Sequence, residues 1–362
     1  MRSFIDLDRT FGSQPLRLGA RLARLDVGRG REGLYRDQLP QLLDALAETS
    51  RIASITASSA IEGVVVEASR IKSLVSEGGG LPGRGKRAWT FRNRNEREFA
   101  GYRDAMDEIS QASSPETLTV PYLLHLHRVL FGHTDGGGGG RLKTEQNLIA
   151  TYEHGHREIL FTPPTPRETE FLLSELLQRY RQAITDRAAH PILLIGALIL
   201  DLLAIHPVAD GNGRLARLVT THELLGQGYT VSRYVSIEQR MFDTKDAYYD
   251  ALYASQRHWH DGRHDIWPWI EYLVNVLEAA YDDFEARVAA RRDLAAGSKQ
   301  DQVRAYVLHQ APSVFRIRDI RAALPGVSDP TIRLVVGELR REGAIAPAEA
   351  GASGPRSAWR RA

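Results

Sequence analysis

One apolar run constrains the fold of this chain more than any other feature. From position 192 to position 205 the residues are aliphatic except for Gly196 and Asp201. The run is shorter than the roughly 20 apolar residues that a membrane-spanning helix needs, so it predicts a helix buried in a protein core. The N-terminus, MRSFIDLDRT, lacks the apolar segment of a signal peptide, and we therefore expect a cytoplasmic protein with no membrane partner.

Helical periodicity dominates the remaining sequence, and alternating strand patterns are scarce. Residues 147–152 and 158–162 flank a His154-Gly155-His156 turn and predict one small β-hairpin. We therefore predict a mainly helical, all-α core. Its helical segments are expected near 39–46, 50–77, 93–111, 121–131, 168–187, 191–205, 213–226, 244–257 and 265–293.

The composition narrows the chemistry. The 362 residues include no cysteine, which excludes disulfides, thiolate catalysis and cysteine-ligated zinc. Acidic and basic side chains nearly balance, with a formal net charge of +2, so the overall charge predicts no particular partner.

The segment that follows the apolar run predicts an anion-binding loop. It has the sequence His206-Pro207-Val208-Ala209-Asp210-Gly211-Asn212-Gly213-Arg214 and lies between two apolar helices. The glycines let backbone N–H groups approach a ligand closely. The start of the next helix adds free N–H donors and a positive dipole end, which together favour phosphate.

The polar side chains of this loop complete a set for group transfer. Arg214 and Arg217 lie three residues apart on one helix face, and both can bind phosphate oxygens. Asp210 can hold the Mg²⁺ of a nucleotide triphosphate, and His206 can accept a proton from a hydroxyl. Taken singly, each residue is more often a cap or a turn residue. Their combination within a dozen positions predicts phosphoryl or nucleotidyl transfer.

The loop also resembles a known family. HPVADGNGRLAR, residues 206–217, is similar to the Fic motif His-Pro-Phe-x-[Asp/Glu]-Gly-Asn-Gly-Arg-x-x-Arg, with Val208 in place of Phe. In the family that side chain packs into the core, so Val changes its volume rather than its chemistry. The hairpin resembles the Fic flap, and the later segments SIEQ, DAYYDALYASQ and WPWIEYL resemble helices of the Fic core. The resemblance covers residues 50–290 approximately.

The resemblance implies a protein adenylyltransferase that moves AMP from ATP, with Mg²⁺, onto a protein hydroxyl. His206 is then the general base and Asp210 the Mg²⁺ ligand. Asn212 and the backbone of Gly211 and Gly213 stabilise charge on the α-phosphate, and Arg214 and Arg217 bind the β- and γ-phosphates. The implied catalytic residues are His206, Asn212 and Arg214. The implied nucleotide-binding residues are Gly211, Asn212, Gly213, Arg214, Arg217, Tyr248 and Tyr249. As helix aromatics, the two tyrosines are equally typical of a core.

The resemblance also implies a surface for the target protein on the flap. Its second strand would align a segment of the target by strand addition. The implied docking residues are Glu158, Ile159, Leu160, Phe161 and Thr162.

A second motif resembles the inhibitory segment of the family, Ser/Thr-x-x-x-Glu-Gly/Asn. It comprises Ser58, Glu62 and Gly63, and it precedes the core as in members with an N-terminal inhibitory helix. Glu62 is expected to pair with Arg217 and thereby occupy the guanidinium that the γ-phosphate needs. The alternative is an ordinary exposed glutamate at a helix end, followed by a glycine C-cap.

The chain changes character at Ala296-Gly297. We predict an N-terminal helical region at 1–110, a Fic core at 111–295 and a winged-helix-like domain at 298–362. That domain is expected to have three short helices, at 301–310, 317–324 and 331–342, before a Gly/Ser/Pro/Arg tail. It could bind DNA or serve as an interaction or dimerisation domain. The arginines that favour DNA are Arg333, Arg340, Arg341, Arg356, Arg360 and Arg361.

The leading functional hypothesis is adenylylation of a target protein and of the chain itself, restrained by Glu62. Other Fic/Doc group transfers and the removal of AMP are close alternatives. Gly213 argues against phosphotransfer, because kinases of this group depart at that position. A DNA-binding regulator whose core senses nucleotide is the non-enzymatic alternative, and a homodimer is left open.

Overall fold

The computed structural model describes residues 2–76, 91–111, 116–135, 139–153, 156–296, 298–312, 314–348 and 358–361. The chain divides into two compact units, Met1–Phe284 and Glu285–Ala362. The boundary falls inside the long helix Trp267–Ala296. It therefore precedes the change of composition at Ala296-Gly297. In the described residues, no helix combines the length and the apolar character needed to cross a bilayer.

The first unit is mainly helical, as predicted. Its helices are α1 (Leu7–Phe11), α2 (Leu16–Gln38), α3 (Pro40–Ile61), α4 (Ala68–Ser76), α5 (Arg94–Gln111), α6 (Val120–Leu130), α7 (Pro166–Asp186), α8 (Pro191–Ile205), α9 (Asn212–Gly226), α10 (Ile237–Asp243), α11 (Lys245–Gln256) and α12 (Trp267–Ala296). The predicted hairpin is present as β1 (Ile149–Glu153) and β2 (His156–Phe161), which pair antiparallel. The residues at 154–155, where the turn is predicted, lie outside the described part.

Helix α8 is the centre of the core, and each interruption of its apolar run has a structural reason. Every residue from Ile192 to Ile205 is buried. A side chain at Gly196 would collide with Ile270 of α12, so the glycine allows the two helices to approach closely. Asp201 accepts hydrogen bonds from Trp259 Nε1 (2.6 Å) and from the backbone and hydroxyl of Ser3 (3.0 and 2.9 Å). The buried carboxylate is therefore satisfied.

The N-terminal helices differ from the prediction. Helix α2 was not predicted, because its arginines and glycines hide an apolar stripe of Leu18, Leu22 and Leu25, all of which are buried. The predicted break near residue 50 is also wrong, since α3 runs without interruption to Ile61. Ser50 and Ser54 in its middle are buried and bond to the segment around α10, so tertiary contacts keep these polar residues helical.

The second unit has the three predicted helices and a small sheet. The elements are α13 (Lys299–Ala305), which continues into a π-helical turn at Tyr306–Gln310, then β3 (Val314–Arg316), α14 (Ile317–Ala323), α15 (Asp329–Arg341), β4 (Ile345–Pro347) and β5 (Ala358–Arg361). The sheet is antiparallel in the order β3-β5-β4. The interpretation of residues 344–362 as a simple tail is wrong, because two of these strands lie there and Trp359 packs on the core. Arg356 lies outside the described residues.

Candidate active site

The loop at residues 206–212, the candidate catalytic loop, begins with His206 in an unusual conformation. His206 ends α8 in the left-handed region, with φ 52° and ψ 61°. Its Nδ1 lies 3.2 Å from the carbonyl oxygen of Leu203. Because a carbonyl only accepts, this contact places the proton on Nδ1 and leaves the Nε2 lone pair free. Burial lowers the pKa of His206 to about 4, so the ring is neutral near pH 7.

A short segment before the flap holds the backbone of this loop. Lys143 donates from Nζ to Ile205 O (3.0 Å) and from its backbone N–H to Pro207 O (2.9 Å). Asn147 donates from Nδ2 to the carbonyl oxygens of His206 (3.2 Å) and Val208 (3.0 Å). Sequence reasoning did not select either residue, because their partners are backbone atoms some 60 positions away, and backbone partners leave no motif.

The middle of the loop is closed by its own side chains. Asn212 Nδ2 donates to Val208 O (2.7 Å), and Asn212 Oδ1 accepts from Val208 N (3.1 Å). The asparagine side chain is therefore engaged in the loop itself. Val208 is fully buried, as the resemblance implied. Gly211, at φ 81°, offers no capping side chain to α9, so the N–H groups of the first turn remain available for an anion.

Asp210 points away from the core. Its side chain is 63% exposed, Oδ1 accepts from Gly211 N (2.6 Å), and Oδ2 lies 3.6 Å from Arg94 Nη2. His127 supports the loop from below, since Nε2 lies 3.1 Å from Asp210 O while Nδ1 accepts from Gly140 N at 2.9 Å. One exposed carboxylate thus lies beside the predicted anion site, which we call the anion cradle and which comprises residues 211–213 at the start of α9.

The first arginine of α9 is held by a residue that sequence reasoning missed. Arg214 Nη1 donates to Glu98 Oε2 at 2.7 Å, and both side chains are almost fully buried. Arg94 pairs with the other oxygen of Glu98, and the Arg214 guanidinium lies over the ring of Phe131. Arg214 Nε is buried without a hydrogen-bond partner in the described part of the chain. A ligand oxygen could satisfy that donor.

The second arginine meets the segment that resembles the inhibitory motif. Arg217 donates from Nε to the Ser58 hydroxyl (2.8 Å) and from Nη2 to Glu62 Oε1 (2.8 Å). Burial favours the neutral acid, but the Arg217 charge and hydrogen bond outweigh it and hold the pKa of Glu62 below its usual value. The Glu62 carboxylate also lies so close to Gly213 that a Cβ there would collide with Oε1. It therefore occupies the start of α9, where an anion would bind.

The end of α3 explains how Glu62 reaches this place. Gly63 has φ 77°, its N–H bonds to Ala60 O (3.0 Å), and Val64 N–H bonds to Ser59 O (3.0 Å). This is the glycine C-cap that the alternative interpretation predicted. The glycine cap and the Glu62–Arg217 ion pair are both present, because the cap ends α3 at the point from which the Glu62 carboxylate reaches Arg217.

The two tyrosines that were predicted to bind the nucleotide differ in their burial. Tyr248 is buried among Trp269 and Tyr272, which is a core environment. Tyr249 is 44% exposed, and Lys245 Nζ lies 5.8 Å from its ring centre. Lys245 also donates to Ile61 O at 3.0 Å, so α11 is bonded to the end of α3. Of these two tyrosines, Tyr249 is the one that is exposed to solvent.

The flap hairpin is a two-stranded sheet with a half-exposed second strand. Ile159 is 52% exposed, whereas Phe161 is buried and stacks on His260 with ring centres 5.1 Å apart. His260 Nε2 lies 2.8 Å from Thr162 O, which anchors the end of the flap. The hairpin is thus fixed at its base, and in the described part its strands pair only with each other.

Comparisons with known proteins identify a family and relatives that this chain resembles. Residues 117–224 match the Fic/DOC family. Proteins named protein adenylyltransferase Fic from Culex quinquefasciatus and Aedes aegypti are each 28% identical over 187 and 190 residues, about half of this chain. The chain spans about a third of the length of these curated relatives, since 33% of each is covered.

Solved structures show the same fold. A Fic family protein from Desulfovibrio desulfuricans G20 aligns with a TM-score of 0.56 and 21% identity, over 94% of this chain and 96% of that chain. Fic-1 from C. elegans aligns with a TM-score of 0.54 and 19% identity, over 75% of this chain and 72% of that chain. Residues 117–224 of this chain, which include the loop at 206–212, the hairpin and most of α9, are therefore the part that matches the Fic/DOC family.

Proposed function

We propose that this chain transfers AMP from ATP to a hydroxyl of a target protein and that Glu62 restrains the transfer. One observation carries the proposal. A carboxylate from a separate helix lies against Gly213 and Arg217, at a helix start that suits phosphate, beside a neutral histidine. Relatives named protein adenylyltransferase Fic support AMP as the transferred group.

In the proposed reaction, His206 Nε2 takes the proton from the incoming hydroxyl. The oxygen then attacks the α-phosphorus of ATP, and the bond to the β-phosphate oxygen breaks to release pyrophosphate. First-turn amides of α9 stabilise the charge on the α-phosphate, and Arg214 and Arg217 bind the leaving phosphates. Because the Asn212 side chain is engaged with Val208, its role is to shape the loop rather than to contact phosphate.

The residues present fit Mg²⁺ bound together with the nucleotide. Asp210 offers one exposed carboxylate, and Mg²⁺ beside substrate phosphates is commonly held by one or two protein carboxylates. The described residues contain no group of three or more metal-binding side chains, so a preformed cage is not part of the proposal. Bound Mg²⁺ would supply neutralisation of phosphate charge.

Glu62 acts as the brake in this proposal. While it holds Arg217, the γ-phosphate loses its guanidinium, and the carboxylate repels phosphate from Gly213. A charge-assisted hydrogen bond of this kind is worth roughly 1.5–3 kcal/mol. Its loss is expected to raise the competent population by about 10–100-fold.

The test is the intact mass of the protein after incubation with ATP and Mg²⁺, followed by label from α-labelled ATP. We expect Glu62→Gly to gain AMP, on itself or on an added target, about 10–100-fold faster than the unchanged chain. Label from γ-labelled ATP should not be incorporated, which separates AMP transfer from phosphotransfer. If Glu62→Gly is no more active than the unchanged chain, Glu62 is an ordinary helix-end residue.

Removal of AMP, with Glu62 orienting water, stays a prediction of the same site. It requires the carboxylate, so Glu62→Gly should lose it while gaining transfer. Release of AMP from a pre-modified protein would measure it.

For the second unit we propose DNA binding. Arg333, Arg340 and Arg341 on α15 are exposed, as are Arg360 and Arg361 on β5. Phosphate contacts release counterions, so affinity for duplex DNA should fall steeply as salt rises. A gel-shift series with the full chain measures this. The absence of binding even at low salt would leave an interaction domain.

A further inference from the structure

One short segment holds four successive carbonyl groups, that of the last residue of α8 and those of the first three residues of the loop. Lys143 contacts Ile205 O and Pro207 O, and Asn147 contacts His206 O and Val208 O, at 2.9–3.2 Å. Lys143 Nζ also donates to Asn147 Oδ1 at 3.0 Å, so the two side chains support each other. We call Lys143 and Asn147 the loop clamp.

The clamp holds a conformation that the loop would not adopt alone. The left-handed region is unfavourable for a non-glycine residue, and His206 adopts it at the point where α8 ends. The buried carbonyls need donors, and α8 and α9 supply none to the oxygens of His206 and Pro207. The direction of the imidazole thus depends on bonds from outside the loop.

The clamp is also continuous with the flap. Asn147 lies two residues before β1, the first strand of the hairpin. A displacement of the flap when a target strand docks is therefore passed directly to the backbone of His206.

Lys143 adds an electrostatic contribution. Its side chain is 4% exposed, and burial lowers the pKa of Lys143 to about 8, so it is mostly charged at pH 7. Burial is the main reason for the low pKa of His206, and the Lys143 charge lowers it further, whereas Glu62 and Asp210 raise it. The clamp therefore favours the neutral ring.

We propose that Lys143 and Asn147 are positioning residues that couple target docking on the flap to the orientation and neutrality of His206. This inference rests on the proposed function for its kinetic part only. Neither residue contacts the reacting atoms; both act through the loop backbone.

The variants separate the two contributions. Asn147→Asp keeps the shape and the acceptor for Lys143 but removes both donors to the loop. Lys143→Met removes the charge with little change in length, and Lys143→Arg restores the charge. Gln146→Ala is the matched control, because Gln146 lies in the same segment but donates only to Asn147 O and Pro163 O.

In the Glu62→Gly background, Asn147→Asp should lower kcat about 10–100-fold, the usual effect of misplacing a catalytic group, with KM for ATP within about twofold. Gln146→Ala should leave kcat unchanged. Lys143→Met should lower kcat and also raise the pKa of His206, measured by NMR titration of labelled histidine without ATP. Lys143→Arg should return that pKa toward the parent value.

The NMR experiment keeps the two proposals apart. If the Glu62→Gly parent transfers no AMP, the proposed function fails, and the His206 titration still decides the clamp. If Lys143→Met is unfolded by circular dichroism, the isosteric Asn147→Asp decides, by exchange of the Gly211 and Gly213 amides. An unchanged kcat or exchange rate in Asn147→Asp, together with an unchanged pKa of His206 in folded Lys143→Met, would overturn the inference.

Discussion

The two arginines of α9 lie one turn apart, yet their carboxylate partners differ in kind. Arg214 pairs with Glu98 at 2.7 Å, in the first part of α5, and the Glu98 side chain is 5% exposed. Arg217 pairs with Glu62 at 2.8 Å, at the very end of α3, and the Glu62 side chain is 31% exposed. The distances are nearly equal, so they do not distinguish the two pairs. The surroundings of the two carboxylates do distinguish them.

Glu98 is buried and shared between two arginines, whereas Glu62 is partly exposed and lies at a helix end. Glu98 is shared between Arg94 and Arg214. Among the described residues, the Glu62 carboxylate accepts a hydrogen bond from Arg217 alone, and a glycine follows it. A residue in the first pair is expected to stabilise the fold, and one in the second to regulate the site.

The largest effect should come from removing the proposed general base, His206. His206→Ala should lower AMP transfer by about 10²–10⁴-fold, the usual contribution of general-base catalysis. ATP binding should be nearly unchanged, measured by calorimetry. In the double variant His206→Ala/Glu62→Gly, the faster AMP transfer expected from Glu62→Gly should vanish. Persistent transfer in the double variant would show that the brake acts outside the catalytic loop.

The next effect concerns the buried pair. Glu98→Ala leaves the Arg214 charge uncompensated in the core, and the free energy of unfolding should fall by about 3–5 kcal/mol. Denaturant unfolding of the full chain measures this. If Glu98→Ala lowered the free energy of unfolding by less than Glu62→Ala does, the division into a structural and a regulatory pair would be wrong.

Glu62→Ala is the matched change at the other arginine. Arg217 keeps both contacts to Ser58, and Glu62 is partly exposed, so the free energy of unfolding should fall by roughly 1.5–3 kcal/mol, less than for Glu98→Ala. Because the folded pKa of Glu62 is depressed, this contribution is present above the usual glutamate pKa. It should disappear as pH falls through the lower folded value. Unfolding at pH 7 and near pH 3 measures the difference.

The smallest effect is a pH dependence that should be nearly absent. With the pKa of His206 at about 4, the base stays neutral as pH falls from 7 to 5.5. Transfer by Glu62→Gly should therefore change by less than about twofold, whereas a histidine of ordinary pKa would retain about a tenth. The ratio to the unchanged chain should also stay constant, since Glu62 remains ionised. A steep acid loss above pH 5.5 would contradict the burial of His206.

Much of the fold could be predicted because its signals are local. The run at 192–205 identified α8, and two short segments on either side of a His-Gly-His turn identified the hairpin. Helix α2 was missed because its stripe of leucines is diluted by arginine and glycine. The strands β4 and β5 were missed because a three- or four-residue strand exists only through its partners.

The sequence by itself determined which residues form the anion cradle, since loop, glycines and helix start are contiguous and their chemistry needs no distant partner. It also placed Glu62 before a glycine stop. Only the tertiary structure decided which carboxylate faces which arginine and that Lys143 and Asn147 hold the loop. Those contacts join side chains to partners 59 to 155 positions away, and backbone carbonyls, which every residue possesses, leave no trace in the sequence.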